Sequence, residues 1–185
     1  FPEINVSDAT FQSNAASTNG GAIISTQALT LVGARFFGNT AAGGSGGGVY
    51  AGGAALVENS LFAGNTASDS GGGLYLNAPS SAITNSTFFD NDKDNLFVSA
   101  LGPITLTGVS ALHSNNEGGA YLDNSTSIIP TPVTITGSSF SDNQGAGLKV
   151  LSKGNITLNT ITASRNNSHG VFLDNFTFTG ATGGI

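Results

Sequence analysis

Side chains able to move a proton or hold a metal are scarce in this chain and scattered along it. His113 and His169 are its histidines, Arg35 and Arg165 its arginines, and Lys93, Lys149 and Lys153 its lysines. Eliminative cleavage of an acidic polysaccharide needs carboxylates gathered around calcium with an Arg or Lys to take a proton. Hydrolysis of a glycosidic bond needs paired carboxyl groups flanking it. Neither arrangement is legible, because the basic residues fall far apart and no motif surrounds either histidine. Ser168 beside His169 is not a triad, since neighbours on a strand point to opposite faces. The absence of Cys removes thiolate nucleophiles, thiolate metal sites and disulfides together. The residues therefore predict no catalytic set, no metal ligands and no cofactor, and a protein that is not an enzyme.

The densest acidic cluster is Asp90, Asp92 and Asp94, in DNDKDN. It opens like a calcium loop, but Asn95 stands where that loop wants Gly and Leu101 where it wants Glu, so the helix-loop-helix calcium site is rejected. A solvated turn and a weak calcium site both stay open. Six Asn-x-Ser/Thr sequons, at Asn5, Asn85, Asn124, Asn155, Asn166 and Asn175, are candidate glycosylation sites.

The elements that must position these residues follow from composition and repetition. Of 185 residues 38% are hydrophobic and only 9% charged, and 5 basic against 11 acidic residues leave a net charge of −6. A phosphate backbone or anionic lipid surface would be repelled, which excludes nucleic acid as a partner. No run of about 20 apolar residues exists to cross a bilayer, and no membrane insertion is expected. The chain opens at Phe1 and reads as a mature or excised product. A mean hydropathy of +0.10 argues against a solvated coil despite 27 Gly.

Three phrases recur in fixed phase. Phe-x-x-Asn ends at Asn14, Asn39, Asn65, Asn91 and Asn143, with weaker copies ending at Asn115 and Asn166, so that steps of 25, 26, 26, 24, 28 and 23 residues separate successive asparagines. Gly-Gly followed by strand-like residues begins at Gly20, Gly47, Gly72 and Gly118, with degenerate forms at Asp94, Ala146 and His169. A short alternating segment starts at Ile4, Leu29, Ile104, Val133, Ile156 and Phe176. Strands this short cannot bury a face alone, and no segment carries helical apolar spacing. Stacking answers both facts. The predicted fold is all-β, a single-stranded right-handed parallel β-helix (solenoid) of about seven rungs of roughly 25 residues, with three short strands per rung and a rise near 34 Å, forming one domain over residues 1–185. A β-sandwich is the alternative.

Alternation along the Gly-Gly phrase sends Ala22 and Ile24, Val49 and Ala51, Leu74 and Leu76 and their later counterparts into the core. Phe11, Phe36, Phe62, Phe88 and Phe140 form a second interior stack, and the asparagine after each Phe satisfies backbone groups at the turn. The middle residues of the Gly-Gly phrase, Ile23, Tyr50, Tyr75, Phe97, Tyr121, Lys149 and Phe172, face outward. Within them Tyr50, Tyr75, Phe97, Tyr121 and Phe172 make an exposed aromatic row, either a ladder bracing adjacent rungs or a surface for sugar rings or a protein.

With these phrases in view the chain resembles the polymorphic outer membrane protein repeats of autotransporter passengers, members of the right-handed parallel β-helix superfamily. It carries their GGAI phrase as Gly20, Gly21, Ala22 and Ile23, and their FxxN phrase at Asn14, Asn39, Asn65, Asn91 and Asn143. The resemblance implies an extracellular or cell-surface β-helix used for adhesion or surface architecture. No capping segment is legible at either end, so Ile4, Val6, Phe11, Phe176, Phe178 and Ile185 are the residues expected to meet other copies. The leading expectation is a secreted, non-enzymatic subunit that stacks head to tail into an extracellular filament. The alternative is an adhesin or passenger fragment that binds glycans or a cell-surface protein of a host through the aromatic row, and a polysaccharide lyase or hydrolase comes third.

Overall fold

The computed structural model describes residues 2–175. Among them every strand pairing is parallel, and no helix occurs. The chain winds seven coils, so equivalent strands of successive coils align into long sheets. The first sheet has seven strands, from Glu3–Ser7 through Ala28–Val32 to Ile156–Asn159. The second has six, from Thr10–Gln12 to Ser139–Ser141. The third has seven, from Ile23–Ser25 through Leu74–Ala78, Leu96–Ala100 and Ala120–Asp123 to Val171–Asn175. A fourth, of two-residue strands Ala15–Ala16, Thr40–Ala41 and Thr66–Ala67, widens only the first three coils.

The β-sandwich alternative falls with the parallel pairing, and the sequence reading needs one correction of register. Ile23 aligns with Val49 and Ile24 with Tyr50, so Ile24 heads the outward row and is 57% exposed, while Ser25 turns inward. The first coil's phrase matches three residues, Gly46, Gly47 and Gly48, before Val49, and counting from Gly47 shifted it by one. A one-residue slip in a strand exchanges its two faces.

The asparagines form a ladder along the axis. The backbone N–H and Nδ2 of Asn39 both donate to Oδ1 of Asn65, at 2.9 Å each, and Nδ2 also donates to the Phe11 carbonyl of the coil before. Asn65 repeats the pattern towards Asn91 and the Phe36 carbonyl. The residue before each rung of this ladder is left-handed: Ser13, Gly38, Gly64, Asp90, His113, Asp142 and Arg165 all have φ between 53° and 63°. That turn aims the next amide inward. Asn115 is not in the ladder. Its place is held by Ser114, whose N–H donates to Asn143 Oδ1, and Asn115 stays exposed. The cause is Ala111, which aligns with Phe88 and sets the phrase one residue earlier than its asparagine suggests.

Phe11, Phe36, Phe62 and Phe88 stack with centroids 4.7 to 5.1 Å apart, and Ala111 then separates Phe88 from the buried Phe140. Together with Leu29, Leu31, Leu74, Leu76, Ile104 and Leu106 they fill the interior of the coil.

Candidate functional site

On the third sheet's outer face chemistry-bearing side chains converge in a concavity. Its origin lies in a departure from the glycine phrase. Gly46, Gly47 and Gly48 precede Val49, and Gly71, Gly72 and Gly73 precede Leu74, because successive turns touch there. A Cβ on Gly47 would lie 2.3 Å from the Gly72 carbonyl oxygen. In the fourth coil the same three places before Leu96 hold Lys93, Asp94 and Asn95. Lys93 adopts the left-handed turn, φ 62°, that Gly71 supplies one coil earlier.

Each of these three side chains finds a different use. Asn95 turns inward and takes up the ladder, accepting at Oδ1 from the N–H and Nδ2 of Asn91 and donating to the Leu112 carbonyl at 2.8 Å. It thereby bridges the coil whose ladder residue is Ser114. Lys93 pairs with Glu117 at 3.5 Å. Asp94 lies over Gly118 of the next coil, where the missing side chain leaves room, and accepts that residue's N–H at 2.9 Å. Asp94 is 8% exposed and lines the same groove as Glu117. Burial, then the neighbouring Glu117 charge, pushes its carboxyl from 3.8 up to about 7, against the opposing Gly118 N–H and the more distant Lys149.

Around this pair a groove of about 410 Å³ opens, with Phe97 and Tyr121 on the sheet, Asn116 and Glu117 at the turn and Lys149 on the following coil. Tyr50, Tyr75 and Phe97 stack nearly parallel, at 5.1 and 4.9 Å. Tyr121 breaks the stack, standing at 74° to Phe97 with Lys149 Nζ 4.5 Å from its centroid. Burial chiefly, with the Asp123 and Asp94 charges, raises the Tyr121 phenol. Phe172 closes the row beside His169, their centroids 5.6 Å apart. Lys149 interrupts the row between Tyr121 and Phe172, and in its first part the rings cover one another's faces.

The sequence reading brought Asp94 into view only as part of a calcium loop. The structure separates its three acids: Asp92 accepts from Asn116 Nδ2 and from the Lys93 N–H, the Asp90 carbonyl accepts from Asn115, and Asp94 faces the groove. Among the described residues no three His, Asp or Glu side chains gather as a metal would require. Glu117 and Lys149 were missed as site residues, and only register, which sets residues 94, 118 and 146 in one column, could have joined them. His113, Asp142 and Arg165 also share a column. Arg165 forms a bidentate pair with Asp142, at 2.5 and 2.6 Å, that holds the Asp142 carboxyl below its ordinary range. His113 stands 3.9 Å from the same carboxylate. These are surface pairs.

The sequons divide by environment. Asn5, Asn85 and Asn155 are exposed. Asn124 is buried, with Nδ2 donating to Thr131, and Asn166 serves the ladder, accepting from Asn143 and donating to the Phe140 carbonyl. Asn175 is half-buried and donates to the Gly154 carbonyl. In these three Nδ2 donates within the fold, and a glycan would replace one of its two hydrogens. Of the residues expected to meet other copies, Ile4 is 41% exposed and Val6 and Phe11 are half-buried against the core, while Phe176, Phe178 and Ile185 lie outside the described residues.

Compared with known families, residues 104–184 match a family model described as a right handed beta helix region, in agreement with the parallel solenoid of the structure. No curated protein and no solved structure matches the chain. A β-helix of this kind is consistent with a structural or adhesin-type repeat domain.

Proposed function

We propose that this chain is a non-catalytic structural domain of the extracellular space or cell surface that adds coil upon coil with further copies of itself, head to tail, into a rigid filament. The observation that carries the reading is that like coils stack through equivalent strands, and the first described coil presents an edge of the same kind. Among the described residues its strands Glu3–Ser7, Thr10–Gln12 and Ile23–Ser25 pair on one side only. Val6, Phe11 and Ile23 are half-buried, whereas Leu31, Phe36 and Val49, their partners one coil on, are fully buried. Asn14 donates to Asn39 from both N–H and Nδ2 and stands first in the ladder. The edge therefore offers what another coil would use: backbone groups, apolar steps and an amide oxygen.

Sedimentation and negative-stain microscopy of the chain test this. Rods should lengthen with concentration and carry an axial repeat near 34 Å, seven coils at about 4.8 Å each. Val6→Lys, which sets a charge on the apolar edge, should yield monomers with an unchanged β-type circular dichroism spectrum. Monomers at every concentration from the unaltered chain would end the reading. A second reading, an adhesin-type module binding through its outer face, is favoured by the groove beside Tyr121.

A further inference from the structure

The groove at the fourth to sixth coils has a composition that selects among ligands. We propose that it binds a neutral saccharide, with the Tyr121 and Phe97 rings against the sugar's apolar face and the Asp94–Glu117 pair and Asn116 on its hydroxyl groups. This rests on the adhesin-type reading and is independent of coil stacking.

Three observations argue for that chemistry. The first is ring orientation. Tyr50, Tyr75 and Phe97 are stacked along the axis, but Tyr121 stands at 74° to Phe97 with Lys149 Nζ over its ring at 4.5 Å, so the groove meets a ring in a second orientation, unstacked on another ring. Ring faces pack against the C–H faces of sugars as they pack against other apolar surface. The second is polar equipment. Asn116 is exposed and offers an amide, and the carboxyl groups of Asp94 and Glu117 on the same groove offer oxygens to hydroxyl groups. The third is charge. Glu117 is matched by Lys93 at 3.5 Å, and the buried Asp94 faces Lys149, so neither sign dominates. An anionic sugar would meet the two carboxyl groups, and a cationic ligand would meet Lys149. A neutral, hydroxyl-rich ligand meets neither penalty. The volume of about 410 Å³ falls in the usual range for small-molecule sites.

The test is a nuclear magnetic resonance titration of the chain with cello-, xylo-, malto- and manno-oligosaccharides, with oligogalacturonate as the anionic comparison. At least one neutral probe should shift the amides of Asn116, Tyr121 and Lys149 in a saturable manner. Tyr121→Ala should weaken that binding roughly tenfold, equivalent to about 1.4 kcal/mol, Tyr121→Phe should retain it, and Tyr50→Ala should leave it unchanged. Circular dichroism melts of each variant separate lost binding from lost fold. Saturable binding of oligogalacturonate alone at these amides would overturn the neutral class while leaving an adhesive face intact. The absence of any shift with all the probes, or binding that Tyr121→Ala does not alter, would overturn the site itself.

Discussion

Asn65 shows how much one side chain carries in this architecture. Its amide donates to the coils on both sides and its oxygen accepts twice from Asn39, all in a buried setting where no water replaces a lost partner. Asn65→Ala leaves the Asn39 N–H and Nδ2 and the Phe36 carbonyl short of partners, at about 1–3 kcal/mol for each buried group stranded. A loss near 3 kcal/mol in urea unfolding is expected, against less than about 0.5 kcal/mol for the exposed Asn115→Ala. The contrast is diagnostic because the sequence offers both as ladder asparagines. Identity pointed to Asn115, while distance from the strand picks Ser114, and the amide that bridges the coil comes from Asn95 in the preceding turn. Asp94 is a second test at this scale. Unfolded, its carboxyl loses the proton near 3.8; folded, only near 7. The folded chain therefore holds more protons between those values, and its stability falls as pH rises from about 4 to 7. The melting temperature should drop over that window, by about 2–4 °C for each kcal/mol lost. Asp94→Asn, which cannot ionise, should flatten the profile, and an equally steep fall in that variant would place the titration elsewhere.

At the scale of strands and stacks, the interior phenylalanines outweigh the outward row. Phe62 lies between Phe36 and Phe88, with 4.7 Å to each centroid and no exposure, so Phe62→Ala is expected to cost about 3–5 kcal/mol in denaturant unfolding. Tyr75, half-exposed between Tyr50 and Phe97, should cost markedly less on truncation, as its stacking contributes roughly 0.5–1.5 kcal/mol per aromatic pair beyond area buried. Equal losses would mean that the outer row, not the core, braces the coils. These elements were legible because three unlike phrases kept one phase: apolar alternation at Leu74 and Leu76, Phe at the next side, and Asn at the turn. Two features were not. The two-residue strands Thr40–Ala41 and Thr66–Ala67 are too short to hold any alternation. The groove draws Asp94, Tyr121 and Lys149 from three coils, and nothing in their spacing marks them until register sets one above another.

For the molecule as a whole, each coil rests only on its neighbours, and stability is close to a sum of coil and interface contributions. Among the described residues coils two to six have a partner on both sides, whereas the first has one. Opening should therefore begin at that edge, where Ile4 and Ile24 are exposed and Val6 and Phe11 only half-covered, and proceed inward coil by coil. Amide hydrogen exchange reads this directly. In the Val6→Lys monomer the first-sheet amides should exchange fastest in the strand Glu3–Ser7, more slowly in Ala28–Val32, and slowest in Ser81–Thr84 and Ile104–Thr107. In rods of the unaltered chain a neighbouring copy would cover the edge, and the amides of Thr10–Gln12 should slow towards the rate of Leu61–Ala63 two coils further in. The two measurements check each other, because a gradient in the monomer that persists unchanged in the rods would mean that the rods are joined by some other surface, and the half-buried Val6 and Phe11 would then owe their exposure to nothing more than standing at the end of the stack.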